Sequence, residues 1–147
     1  MIILSYVMKR MLLPAIILLL TTFGIAQNGH AQCTTDACAN KLSEGFTFLK
    51  GYQLQVATVH EVEFSYVFSK GTSYQLVICN QDGTSKDIEV TLYDSQRHKL
   101  ISNFDKESNK YYGALIYECQ TTGIFYMKYT YKNKPSCCNA VLAFKRK

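Results

Sequence analysis

The sequence predicts an all-β protein: an antiparallel β-sandwich of jelly-roll type with about eight strands, behind a cleaved N-terminal signal helix. Three observations predict it. Apolar and polar residues alternate at a period of two over most of the chain beyond residue 50. Turn clusters separate these runs at intervals of about ten residues. The chain carries 11 Tyr and 8 Phe, residue types that suit a pleated, half-buried surface.

The N-terminal segment reads as an export signal. Lys9 and Arg10 form a positive n-region, 11–25 is almost uninterruptedly apolar, and Gly29-His30-Ala31 places small residues where a signal peptidase reads them. A second cut is available after Ala26, and Met8 offers a second start. The apolar run is shorter than the roughly 20 residues of a spanning helix and contains Pro14 and Gly24, which argues against a retained anchor. Cys33 follows His30-Ala31-Gln32, which lacks the aliphatic and small residues of a lipid-attachment site. Residues 1–31 are therefore expected to be a signal peptide and 32–147 a single domain, secreted or periplasmic/extracellular, with no stable membrane span after cleavage.

Within that domain, Asp36 is placed to cap a short helix over 37–42, which Gly45 would end. Strands follow. Residues 52–59 open the set. In 61–68, Val62, Phe64, Tyr66 and Phe68 share one face while Glu61, Glu63 and Ser65 share the other. Tyr74, Leu76 and Ile78 are in step over 72–79, and Ile88, Val90 and Leu92 over 88–93. Further strands are expected at 100–104, 111–119, 124–131 and 140–144. In 124–131, Phe125, Met127, Tyr129 and Tyr131 form the core face, with Ile124, Tyr126, Lys128 and Thr130 opposite. The punctuation fits: Ser69-Lys70-Gly71-Thr72, Gln81-Asp82-Gly83-Thr84 and Thr121-Thr122-Gly123 are turn clusters, and 94–99 and 103–110 are polar connections.

The formal charge of +5 falls to about +3 once Lys9 and Arg10 are removed, too mild and too dispersed for a nucleic-acid partner. What positive charge there is gathers near the C-terminus. Tyr126, Lys128, Lys132 and Lys134 are the candidate binding residues: an aromatic–basic patch of the kind that meets sugars or proteins, against the plainer reading that Tyr126 fills the core.

All six cysteines, Cys33, Cys38, Cys79, Cys119, Cys137 and Cys138, lie beyond the signal, and export makes them disulfide candidates. Adjacent Cys137 and Cys138 point to opposite faces of an extended segment and so should take different partners. A bridge from Cys119 to one of them would staple neighbouring segments. Cys33 or Cys38 would reach Cys79 or the remaining member of the 137/138 pair. Zinc-knuckle spacing and a C-x-x-C redox motif are both absent, so no metal is expected.

No catalytic set is visible and no cofactor is implied. His60 and His98 stand alone, there is no G-x-S-x-G elbow, and Glu61 and Glu63 read as the solvent face of a strand rather than a glycosidase pair. The stretch 80–87 alternates oxygen ligands around Gly83 but lacks an EF-hand pattern and carries Lys86, so it reads as a hairpin turn.

Four segments together carry a resemblance: 66–74 with its glycine turn, Val90-Thr91-Leu92-Tyr93-Asp94, Ser102-Asn103-Phe104-Asp105, and Thr122-Gly123-Ile124-Phe125-Tyr126-Met127-Lys128. This layout is similar to bacterial pre-peptidase C-terminal domains and the related GOLD-type β-sandwiches, as in small secreted proteins of Bacteroidota. The resemblance covers about half of the exported part and rests on turn and core positions. It implies a non-catalytic accessory or binding module and transfers no site residues. The chain departs from those families in its six cysteines and in standing without an enzyme domain.

The expected function is thus a secreted, non-enzymatic binding or accessory module for a glycan, cell-surface or protein partner. The alternatives are a small exported enzyme or enzyme inhibitor with a site assembled only in three dimensions, and a structural envelope component. Mass spectrometry of the exported protein, reduced and non-reduced, is expected to show a chain cut after Ala26 or Ala31 and bearing disulfides. Six free thiols would contradict the crosslinked reading.

Overall fold

The period-two runs become strands in the computed structural model, which describes residues 35–54, 60–80, 87–132 and 138–146. Among the described residues a short helix, α1 (Asp36–Ala39), precedes ten strands: β1 (Thr47–Leu54), β2 (Glu61–Phe68), β3 (Thr72–Asn80), β4 (Ile88–Tyr93), β5 (Lys99–Ser102), β6 (Phe104–Asp105), β7 (Lys110–Tyr111), β8 (Ala114–Glu118), β9 (Gly123–Tyr131) and β10 (Cys138–Arg146). The signal segment, Cys33, Lys134, Cys137 and the 81–86 turn lie outside the described residues.

Eight strands form two four-stranded antiparallel sheets, β1-β10-β3-β8 and β2-β9-β4-β5, and β6 and β7 make a small hairpin beside them. The pairing is nested: β1 takes β10, β2 takes β9 and β3 takes β8. Successive strands therefore cross between the sheets, the jelly-roll arrangement in which two Greek keys wrap around one core. The sandwich expected from the alternation is what forms.

The core faces are those the alternation assigns. Phe68, Leu76, Ile78, Ile88, Val90, Leu92, Phe125, Met127, Tyr129 and Leu142 are buried between the sheets. Phe68 stacks between Tyr74 at 3.8 Å and Phe125 at 4.8 Å, joining both sheets through one ring. Two differences from the sequence reading stand out. β1 begins at Thr47 rather than residue 52, because Thr47 to Leu54 pairs along β10 with a bulge between Phe48 and Lys50. The 111–119 run splits into β7 and β8 around Tyr112 and Gly113.

β3 is buried along nearly its whole length, on both faces. Its inner face meets the other sheet. Its outer face is covered by the segment from Thr35 to Phe46. α1 is shorter than expected, four residues followed by tighter turns in which the Lys41 N–H donates to Cys38 O and the Leu42 N–H to Ala39 O. Cys38 is bonded to Cys79 on the outer face of β3. Val77, Val141 and Leu42 pack around that disulfide. Further along, Ser43 N–H donates to Gln75 Oε1 at 3.0 Å and Gln75 Nε2 donates to Ser43 Oγ at 2.9 Å. Gly51 permits the close approach, since a Cβ there would sit 2.8 Å from the Thr35 side chain.

The expected bridge from Cys119 to Cys137 or Cys138 does not form. Cys119 is a buried free thiol that donates to Thr121 O at 3.0 Å, and burial pushes its pKa up. The register supplies the reason. Cys119 N–H bonds to Thr72 O at the start of β3, whereas Cys138 lies opposite Asn80 at its end. Eight strand residues separate those positions, roughly 25 Å.

Asn103 ties the β6–β7 hairpin to the sandwich. It is buried, its Oδ1 accepts from Val90 N–H at 2.8 Å, and its Nδ2 donates to Ile88 O at 3.0 Å and Tyr112 O at 2.9 Å. Replacing it with alanine strands two buried backbone groups, at about 1–3 kcal/mol each, and a part-buried third. Asn103→Ala is therefore expected to lower stability by at least about 2 kcal/mol in urea unfolding, and a loss under about 1 kcal/mol would contradict this role.

Candidate functional site

The Thr35–Phe46 segment covers the outer face of β3, and the outer face of the second sheet is a broad surface left to solvent. Its rows follow from the register. Glu61, Thr130 and Glu89 form one row, Glu63, Lys128, Thr91 and Ser102 the next, and Ser65, Tyr126, Tyr93 and Lys99 the third. Val67 and Ile124 pair beyond them, nearest the β2–β3 turn.

The first two rows are charge-matched. Lys128 Nζ lies 2.7 Å from Glu61, and the hydrogen bond to that carboxylate raises the lysine pKa. Lys99 lies 3.6 Å from Glu89, which also accepts from Ser102 Oγ at 2.8 Å. Exposed pairs of this kind contribute little stability, about 0–1 kcal/mol each, but they leave little free charge on the sheet.

The third row carries a different group. Arg97 sits in the loop between β4 and β5, and its guanidinium lies 3.6 Å from the centroid of the Tyr126 ring while pairing with Glu63. Arg97 adopts φ 67°, the left-handed region where glycine is favoured and a long side chain is uncommon. The loop is held by Asp94. Its backbone N–H donates to His98 O, and its Oδ1 accepts from the N–H groups of Gln96 and His98, both at 2.8 Å. The Arg97 side chain is thus aimed at the sheet by a fixed turn and a strained backbone.

Beside it, Val67 and Ile124 are exposed at 56% and 47%, facing each other across β2 and β9. An apolar cross-strand pair open to water, next to a stacked arginine and tyrosine and rimmed by ion pairs, has the composition of an interaction surface.

No protein-family model matches this chain, and no curated protein sequence does. Among solved structures the chain is similar to the crystal structure of Aeromonas hydrophila PliG, a periplasmic lysozyme inhibitor of g-type lysozyme. The identity is 11%, 71% of this chain and 90% of that chain are covered, and the TM-score is 0.42.

Of the four residues expected to form an aromatic–basic patch, Tyr126, Lys128 and Lys132 are described. Tyr126 and Lys128 share the outer face, but Lys128 is neutralised by Glu61 and Tyr126 is covered by Arg97. Lys132 lies six residues from Tyr126 along the same extended segment, roughly 20 Å away. There its ammonium sits over Phe104 and Tyr111, at 4.6 and 5.1 Å. Lys134 lies outside the described residues. Arg97, Val67 and Ile124 were the residues the sequence reading passed over. Their signal was an apolar residue at outward parity on two strands, with an arginine in the loop that closes a third.

His98 is exposed and paired with Asp94 at 3.0 Å, as a loop histidine, and His60 is exposed with its carbonyl accepting from Tyr131 N–H. Among the described residues no three His, Cys, Asp or Glu side chains converge as a metal cluster, and no helix is long and apolar enough to cross a membrane.

The Asp94 carboxyl is held below the usual aspartate value of 3.8, chiefly by the His98 N–H. A depressed carboxyl contributes stability that is present above the unfolded pKa and lost as pH falls through the lower folded value. The Gln96 and His98 amide resonances are therefore expected to titrate with a midpoint below 3.8, and Asp94→Asn should abolish that titration. A midpoint at or above 3.8 would show that the turn does not hold the carboxylate.

Proposed function

We propose that this protein is an exported, non-catalytic binding module that engages a protein partner through the open sheet face around Val67, Ile124, Tyr126 and Arg97. One observation carries the reading: an exposed apolar cross-strand pair lies against an arginine whose backbone is strained into place over a tyrosine. Tyrosine and arginine are the residue types that concentrate binding energy at protein interfaces. Strain held by a loop marks a position kept for what its side chain does. The Cys38–Cys79 disulfide supports export, since such bonds persist in oxidising compartments. The flatness of a sheet face favours a protein over a small ligand, which takes a concave site.

Arg97→Gly separates function from stability. Glycine relieves the positive φ, so stability should hold or rise, while the contact to a partner is lost. A photo-crosslinking residue at position 124 is expected to give a discrete protein adduct in the native secreted fraction, competed by excess unlabelled protein and reduced at least 10-fold by Arg97→Gly. The same probe at Glu107, on the exposed turn between β6 and β7, should give none. Equal adducts from both positions, or binding to a carbohydrate array that survives Ile124→Asp, would overturn the reading.

A further inference from the structure

The two sheets part at the end of the sandwich that carries the β2–β3 turn and the C-terminus, and a cleft opens there. Its volume is about 200 Å³, and its walls include Leu49, Tyr66, Val67, Tyr74, Phe144 and Arg146. The walls arise from ordinary strand alternation. Phe144 and Arg146 lie two residues apart on β10, opposite Tyr74 and Thr72 of β3. Phe144 packs on the core, so Arg146 continues the inward-facing row just past the last core layer. An arginine at an inward-facing register position is unexpected in a sandwich, where such positions are apolar.

Two further features give the cleft a chemical preference. Arg146 has no carboxylate partner among the described residues, whereas Arg97, Lys99 and Lys128 each have one. Tyr74 accepts a hydrogen bond at its hydroxyl from the Ser69 N–H at 2.9 Å. Its own hydroxyl proton is thereby left to donate into the cleft. Of the rest of the wall, Leu49, Tyr66, Val67 and Phe144 are apolar or aromatic, and Ser69 and Thr72 add polar groups. The size is informative as well. A cavity of about 150 Å³ holds a benzene ring, so about 200 Å³ accommodates a ring with a short carboxylate-bearing arm.

We infer that this cleft is a binding site for a small free monocarboxylic acid with an aromatic or branched aliphatic body. The body lies between Leu49, Val67 and Phe144, and the carboxylate meets the Arg146 guanidinium, whose planar fork matches two oxygens at once. The site shares Val67 with the protein-binding face but differs from it in its arginine, Arg146 here and Arg97 there.

The probe is 3-phenylpropionate, with 3-phenylpropionamide as its neutral counterpart, titrated into the full exported chain and read by methyl resonances of Leu49 and Val67 in a two-dimensional carbon–proton spectrum. The acid is expected to shift both methyl sets saturably at millimolar concentrations, and the amide to bind at least 10-fold more weakly. Arg146→Gln, at an exposed position, should leave the circular dichroism spectrum and melting temperature unchanged and remove the preference for the acid. Tyr74→Phe should reduce it. Equal affinity for acid and amide, shifts that survive Arg146→Gln, or no saturable shift would each overturn the proposal. So would a 10-fold preference for acetyl-Gly-Phe over the free acid, which would assign the cleft to a chain terminus instead.

Discussion

The architecture depends on keeping water away from both faces of β3. A strand this apolar on its outer side, with Val77 and Cys79 beside Gln75, cannot be left open to water in a two-layer sandwich without a third layer. The chain supplies one from its own N-terminal part, but a four-residue helix has no stability of its own. The Cys38–Cys79 bond makes the cover local to β3, closing a loop of 41 residues. The reciprocal Ser43–Gln75 hydrogen bonds then satisfy a buried amide that the cover would otherwise strand. The disulfide has a functional consequence through packing alone. The central strand β3 becomes interior on both faces, which leaves the outer face of the other sheet and the ends as open surfaces.

Nested antiparallel pairing decides what meets at those ends. The pairs β1 with β10, β2 with β9 and β3 with β8 bring residues from 37 (Val77 and Ala114) to 97 (Thr47 and Phe144) positions apart into contact while sending neighbours in sequence to opposite sheets. Cys119 N–H donates to Thr72 O, Cys119 O accepts from Gly71 N–H in the β2–β3 turn, and Lys70 N–H donates to Thr122 Oγ1 at 2.9 Å. Gly71, with φ 79°, allows the tight turn this contact needs. The same topology places the β4–β5 loop beside β9, so that Arg97 can reach Tyr126. It also brings Arg146 beside Tyr74.

Much of the fold was legible in the sequence, because strand alternation reports burial directly. Val62, Phe64, Tyr66 and Phe68 on β2, and Phe125, Met127, Tyr129 and Tyr131 on β9, occupy the core side that their spacing assigns. The disulfide class was legible from the six cysteines, and one of the open pairings, an N-terminal cysteine with Cys79, forms. The register between strands was not legible, and every missed feature follows from it. Cys119 and Cys138 are close in sequence terms across one strand and a loop, yet lie at opposite ends of β3. Lys128 and Lys132 belong to one short segment, yet one answers Glu61 and the other caps the Phe104–Tyr111 stack. Asn103 reads as one polar loop residue among many until its side chain is seen bonding three separate backbone groups. Composition names the residue types available for a patch; only cross-strand partners determine which charges remain free.

Val67 links the two surfaces that remain. It faces Ile124 on the open sheet and also borders the cleft between the sheets, since β2 is an edge strand and its last outward residue lies at the sandwich corner. A substitution there alters apolar contact on both surfaces and cannot distinguish them. The two arginines can. Arg97 is committed to the sheet face by its turn, its ring contact and Glu63, while Arg146 is directed to the cleft by its parity with Phe144. Opposite electrostatic states separate them as well. Arg97 is already neutralised, so its contribution to a partner is planar contact area and a hydrogen-bonding fork. Arg146 lies over the Phe144 ring and has no carboxylate partner among the described residues, so its contribution is attraction for an anion. Two residues of one type, on one end of a small sandwich, are thereby fitted to two kinds of ligand by what their neighbours leave unsatisfied.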